Sequence, residues 1–126
     1  MAIHLDHMIV PARDKHAAAQ RLAALLDVPS AESLGEFVAV FVNEGLTLDF
    51  AQREGFEGHH ICFRVSDADF DAIFGRIQAA GLTYRSRPRG ADDMTINTRL
   101  GGKNLYWEIL TVSYARPDSE PLTRVG

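Results

Sequence analysis

Two histidines and two carboxylates stand at matching places along this chain: His7, Asp49, His60 and Glu108. Each lies in a short run where apolar and polar residues alternate, the mark of a half-buried strand. In His60-Ile61-Cys62-Phe63-Arg64-Val65, the apolar Ile61, Phe63 and Val65 share one face. His60, Cys62 and Arg64 share the other, which is either solvated or lines a cavity. Imidazole and carboxylate are good ligands for a divalent first-row cation. Two histidines and one carboxylate suit Fe(II), and a further oxygen ligand also admits Zn, Ni, Mn or Co. Such a cation polarises an oxygen-bearing substrate as a Lewis acid. The ligands must be neutral imidazole and ionised carboxylate, so binding weakens in acid. Taken singly, each residue also fits a solvated or hydrogen-bonded strand position. No His-Glu-x-x-His and no Cys-x-x-Cys is present. The case for a site is the coincidence in register.

The elements that position these residues follow from periodicity. Ile3 to Val10 reads as a strand that ends at Pro11, with Leu5, His7 and Ile9 on one face and Asp6, Met8 and Val10 on the other. Asp14 is placed to cap a helix running to about Leu26, with Ala18, Leu22 and Leu25 on one stripe. Asp27-Val28-Pro29 stops it. A short strand is expected near Glu32 to Leu34. Phe37 to Val42 and Leu46 to Ala51 read as a hairpin about Glu44-Gly45. That turn places Val42 opposite Thr47, Phe41 opposite Leu48 and Val40 opposite Asp49. Phe37, Ala39, Phe41, Leu48 and Phe50 then form an apolar face, and Asp49 lies on the other, where a slip of one residue would swap them.

After the polar stretch from Arg53 to Gly58 comes the His60 strand. Ser66 with Asp69 resembles a capping box, and a helix follows to about Ala80 on the stripe Phe70, Ile73, Phe74 and Ile77. Gly81 is placed to end it. Leu82 to Arg87 reads as a strand. Met94 to Leu100 and Leu105 to Val112 read as a second hairpin, with Arg99 opposite Tyr106 and Asn97 opposite Glu108. The order strand, helix and about three strands therefore occurs twice, over 3–52 and 58–114, with a polar tail over 115–126. An internal repeat of this length governs the whole fold.

Arg64 and Arg99 are expected on the cavity side, with Asn97 and Tyr106 nearby. These four could contact substrate, the arginines clamping a carboxylate or another oxyanion. The arginines fit rim or interface positions equally. His59 alternates away from His60, and Trp107 belongs to the helix-facing core. Cys62 reads as a small packing residue. Arg85, Arg87 and Arg89 form a basic run beside Pro88.

Bulk properties exclude several classes. The net charge of −4 argues against a general nucleic-acid binder. No apolar run approaches the roughly 20 residues of a membrane span. The single cysteine excludes an internal disulfide framework and fits a reducing cytoplasm. Met-Ala-Ile-His-Leu-Asp at the N-terminus has neither the basic nor the apolar region of a secretory signal. A hydrophobic share of 46% fits one globular domain.

Asp6-His7-Met8-Ile9-Val10, Leu48-Asp49-Phe50, His60 to Val65 followed by Ser66-Asp67, and Leu105-Tyr106-Trp107-Glu108-Ile109-Leu110 together resemble the vicinal oxygen chelate superfamily. That group includes glyoxalases, extradiol dioxygenases, fosfomycin-resistance enzymes and bleomycin-resistance proteins. The resemblance implies an α+β fold of two βαβββ modules whose curved sheets enclose a cavity. It implies a metal on His7, His60 and Glu108, with Asp49 at the fourth family position, as ligand or as base. The chain departs from the family at Leu100-Gly101-Gly102-Lys103-Asn104, where Asp-Pro-Asp-Gly-Asn is common, and at Asp49, where glutamate is common.

The expected function is a cytoplasmic, divalent-metal-dependent enzyme acting on a small oxygen-bearing molecule, by lyase or isomerase chemistry or by ring-cleaving dioxygenase chemistry. The alternative is a bleomycin-resistance-like protein that sequesters a small molecule without turnover. The resemblance also implies a homodimer, and neither nucleic acid nor membrane is an expected partner.

Overall fold

The structure is a computed structural model that describes residues 2–55, 60–98, 102–107 and 111–114, with only the backbone given over 31–34 and 111–114. The polypeptide divides into two compact units, Met1–Glu57 and Gly58–Gly126. No helix among the described residues is long and apolar enough to cross a membrane.

The first unit is a βαβββ module. It comprises β1 (His7–Ala12), α1 (Lys15–Leu26), β2 (Ser30–Leu34), β3 (Phe37–Asn43) and β4 (Leu46–Gln52). Its sheet has the order β1-β4-β3-β2, with β1 parallel to β4 and the other pairs antiparallel. β1 starts later than expected and runs through Pro11 instead of ending there. The reason is parity. The carbonyls of Asp6 and Ala12 accept from Thr47 and Arg53 on the β4 side, both at even positions. Pro11 is odd, so its missing N–H faces away from β4, where the ladder requires no donor.

α1 forms as its sequence dictates. The Asp14 carboxylate accepts from the Ala17 N–H at 3.0 Å. At the other end Asp27 takes a left-handed conformation, φ 57°, while the Val28 N–H returns to the Ala23 carbonyl. The buried stripe is Ala19, Leu22, Ala23 and Leu25, one position round from the expected one at Ala18.

The β3–β4 register departs from expectation. The turn at Glu44-Gly45 is where it should be, with Asn43 opposite Leu46 and the Asn43 side chain accepting from the Gly45 N–H at 2.8 Å. Beyond it the ladder shifts by one residue between Phe41 and Asn43, so Val42 is an extra residue in β3. Thr47 therefore faces Phe41, Leu48 faces Val40 and Asp49 faces Ala39. The core face is Val10, Val38, Val40, Leu48 and Phe50, all buried. Gln52, on that same face of β4, meets the start of α1: its side chain accepts from the Lys15 N–H at 3.0 Å and donates to the Arg13 carbonyl. The opposite face carries His7, Ile9, Thr47, Asp49, Ala39 and Phe41.

The second unit contains β5 (Cys62–Val65), α2 (Asp67–Ala79), β6 (Asn104–Tyr106) and β7 (Thr111–Tyr114). The sheet order is β5-β7-β6, with β5 parallel and β6 antiparallel to β7. α2 begins at Ser66, whose hydroxyl accepts from the Asp69 N–H at 3.1 Å, and Gly81 follows it at φ 69°. Phe70, Ile73 and Ile77 are buried, as the stripe requires. Lys103 lies 5.1 Å over the Phe70 ring and pairs with Asp67 and Asp71, fastening the approach to β6 onto the first turn of α2.

Two expectations are corrected here. Leu105 to Val112 is not one strand: Leu105 and Val112 face each other across β6 and β7. The expected strands at Leu82 to Arg87 and Met94 to Leu100 contribute, among the described residues, single bridges at Arg85–Tyr106 and Asn97–Asn104. Asn97 therefore stands opposite Asn104, not Glu108. The reason lies in the intervening loop. Arg85 donates to Asp92 and to the carbonyls of Arg87 and Pro88. Asp93 accepts from Ser86 and Thr95. These local bonds compete with a continuous ladder.

Candidate functional site

In the first unit the two candidate ligands share the face of the sheet opposite α1. His7 is in register with Thr47, and Ile9 with Asp49, so His7 and Asp49 lie one diagonal step apart on adjacent strands. Asp49 is 6% exposed, and its Oδ1 is buried without a hydrogen-bond partner. Buried polar atoms are ordinarily satisfied, so such an orphan calls for an explanation. A cation is a suitable partner for it. A carboxylate oxygen and an imidazole are donor types that suit a divalent first-row metal, and these two lie one diagonal step apart. Around them Ile9 is 52% and Phe41 37% exposed, so the polar pair has apolar neighbours on its own face.

His7 is itself exposed, and its Nδ1 donates to Asp6 Oδ2 at 2.8 Å. That bond raises the imidazole pKa above its usual value; the negative charges of Asp6 and Asp49 act in the same direction, and partial desolvation opposes them. Alternation places Asp6 on the opposite side from His7. Asp6 precedes the regular strand, and its side chain instead reaches the His7 ring. This is the residue that the sequence pattern overlooks, although it is adjacent to the candidate ligand in the chain.

In the second unit His60 is exposed and stands two residues ahead of β5. Its ring centroid is 6.0 Å from that of Tyr106, the rings tilted by 37°. Tyr106 is buried in β6, and its backbone pairs in both directions with Arg85, at 2.8 and 2.9 Å. Asn97 donates to the Ser86 carbonyl and accepts from the Asn104 side chain at 3.0 Å, so its amide ties the bridge to β6. Arg64 is an exposed residue of β5. Trp107 is buried, as expected of a core residue. His4 and His16 are exposed. Glu108, Arg99, His59 and the tail over 115–126 lie outside the described residues.

Among the described residues no three His, Cys, Asp or Glu side chains form a ligand cluster. What these residues do present is one imidazole–carboxylate pair in the first unit and one imidazole beside a phenol in the second.

No protein-family model matches this sequence, and the search of curated proteins gives no match. Solved structures do match. "Oxidase ChaP-H2" is 37% identical, with 93% of this chain and 96% of that chain covered and a TM-score of 0.82. "Oxidase ChaP-H1" is 35% identical, with 94% and 100% covered and a TM-score of 0.79. The fosfomycin resistance protein FosX from Mesorhizobium loti is 20% identical over 90% of this chain and 92% of its own, with a TM-score of 0.63; it shares the fold. Two relatives of more than one-third identity cover over nine-tenths of this chain, and from them the chain belongs to the vicinal oxygen chelate superfamily.

Proposed function

We propose that this protein is a divalent-metal-dependent oxidase acting on a small oxygen-bearing organic molecule. The observation that carries the reading is Asp49, a buried carboxylate with an unsatisfied Oδ1 on the same sheet face as His7. The choice of oxidation is supported by the two relatives named as oxidases, at 37% and 35% identity.

His7, His60 and Glu108 would be the ligands. Asp49 is either a fourth ligand or, if it stays off the metal, a base that takes a substrate proton. A two-histidine, one-carboxylate set favours Fe(II), which supplies one-electron chemistry with dioxygen when bound. Tyr106 and His60 would offer ring surface to a substrate. Arg64 and Arg99 would pair with its oxyanion. Asn97, whose amide already bonds Ser86 and Asn104, would hold the wall behind Tyr106. We place the protein in the cytoplasm, in keeping with its single cysteine, and as a homodimer, in keeping with the family habit of completing cavities with paired modules, within a chain or between chains.

The test begins with elemental analysis of protein purified without a histidine tag or chelator, after anaerobic reconstitution with Fe(II). Stoichiometric iron in the wild type, lost in His7→Ala, His60→Ala and Glu108→Ala, is the expected result. Oxygen uptake is then screened with a panel of small molecules bearing adjacent oxygens. No metal in the wild type, or equal metal in all the variants, overturns the reading.

A further inference from the structure

We propose that Asp6 is a positioning residue, fixing the tautomer and orientation of His7 so that Nε2 is the nitrogen offered to the metal. The inference rests on the metal-dependent reading above and adds a residue to it.

The geometry is specific. The Asp6 carbonyl accepts from the Thr47 N–H at 3.0 Å, so its backbone is already in register with β4. Side chains of consecutive extended residues point to opposite faces. Asp6 immediately precedes β1, and its carboxylate nonetheless turns back to meet His7 Nδ1 at 2.8 Å. This length is typical of a charge-assisted bond. A neutral imidazole that donates through Nδ1 carries its lone pair on Nε2. The hydrogen bond at one ring nitrogen decides which nitrogen can ligate. It also limits rotation of the ring about χ2, which an exposed histidine would otherwise explore. Asp49, the other candidate ligand of this unit, lies one diagonal step away on the same face. Asp6 thus stands as the outer carboxylate of a carboxylate–histidine–metal arrangement, which orients the ring and strengthens it as a donor.

The experiment titrates the metal-free full chain with Co(II) alone, comparing wild type with Asp6→Ala, Asp6→Asn and His7→Ala. Folding of each variant is checked by its thermal unfolding midpoint. Asp6→Ala is expected to weaken Co(II) binding by roughly 10- to 100-fold. Asp6→Asn keeps an acceptor oxygen without the charge and should fall between wild type and Asp6→Ala. Long-range proton–nitrogen spectra of the metal-free protein give a second readout: His7 should carry its proton on Nδ1 in the wild type and lose that preference in Asp6→Ala. Unchanged affinity and an unchanged tautomer in Asp6→Ala, with binding lost in His7→Ala, overturn the role of Asp6 and leave His7 as a ligand. Binding in His7→Ala equal to wild type, or no binding in the wild type, overturns the metal reading and the Asp6 role with it.

Discussion

Ala39 is the direct cross-strand partner of Asp49, and both side chains are buried. A methyl group opposite a carboxylate cannot donate a hydrogen bond, which leaves Asp49 Oδ1 unmet from that side. An unsatisfied buried oxygen costs about 1–3 kcal/mol. Asp49→Val, with similar volume and good strand propensity, is therefore expected to stabilise the metal-free protein by about that amount. Chemical unfolding of both proteins checks this. Equal or lower stability in the variant would mean that the carboxylate is already satisfied.

His7 offers a pH prediction. Its hydrogen bond to Asp6 raises its pKa in the folded chain. A raised imidazole value stabilises the fold when the pH is below the unfolded value, provided that Asp6 is ionised. That contribution fades as the pH rises through the raised value. The stability difference between wild type and Asp6→Asn should therefore be greatest in mild acid and shrink toward alkaline pH. Proton spectra of the His7 ring should give a midpoint above the usual imidazole value in the wild type and closer to it in Asp6→Asn.

Ser66 is the N-cap of α2 through its bond to the Asp69 N–H. Ser66→Ala should cost about 1 kcal/mol, and Ser66→Asp should recover most of it. Urea unfolding followed by circular dichroism reads both. A Ser66→Ala midpoint equal to wild type would remove the cap from the account of this helix.

Asp93 holds the Ser86–Thr95 loop. Its pKa is lowered chiefly by the Ser86 hydroxyl, with the Thr95 side chain and the backbone N–H groups of both residues assisting. The stabilisation is complete above the unfolded carboxyl value and is lost as the pH falls through the lowered folded value. Amide resonances of Ser86 and Thr95 should move together on acidification, at a pH below that of an ordinary aspartate. In Asp93→Ala these amides should already resemble the acid state at neutral pH.

Both helices are legible in the sequence because their signals are local. Asp14 and Ser66 cap within one turn, and the apolar stripes need no distant partner. The superfamily and the paired-module design are legible for a similar reason, since His7 and His60 recur in matching local patterns. The β3–β4 register is not. Glu44-Gly45 identifies the turn correctly, yet the extra residue at Val42 turns the rest of β3 over. Nothing in Phe41-Val42 marks a bulge, because both residues favour a regular strand. The second hairpin departs for another reason: among the described residues it pairs Asn97 with Asn104, and the neighbouring side-chain bonds of Arg85 and Asp93, which compete with a longer ladder, leave no periodic trace. Asp6 is missed because alternation assigns its side chain to the face away from His7, whereas the carboxylate reaches round to the His7 ring.

The bulge at Val42 also separates the length of the hairpin from its sidedness. The pairs from Phe41–Thr47 to Val38–Phe50 are held by the buried packing of Val38, Val40, Leu48 and Phe50. Removing Val42 would bring the tip into line with those pairs and leave Asp49 on its present side. Adding a residue between Val40 and Phe41, or removing either of them, would instead strain the packed section. This hairpin can therefore vary in length at its tip over evolutionary time, while the carboxylate at Asp49 keeps its orientation.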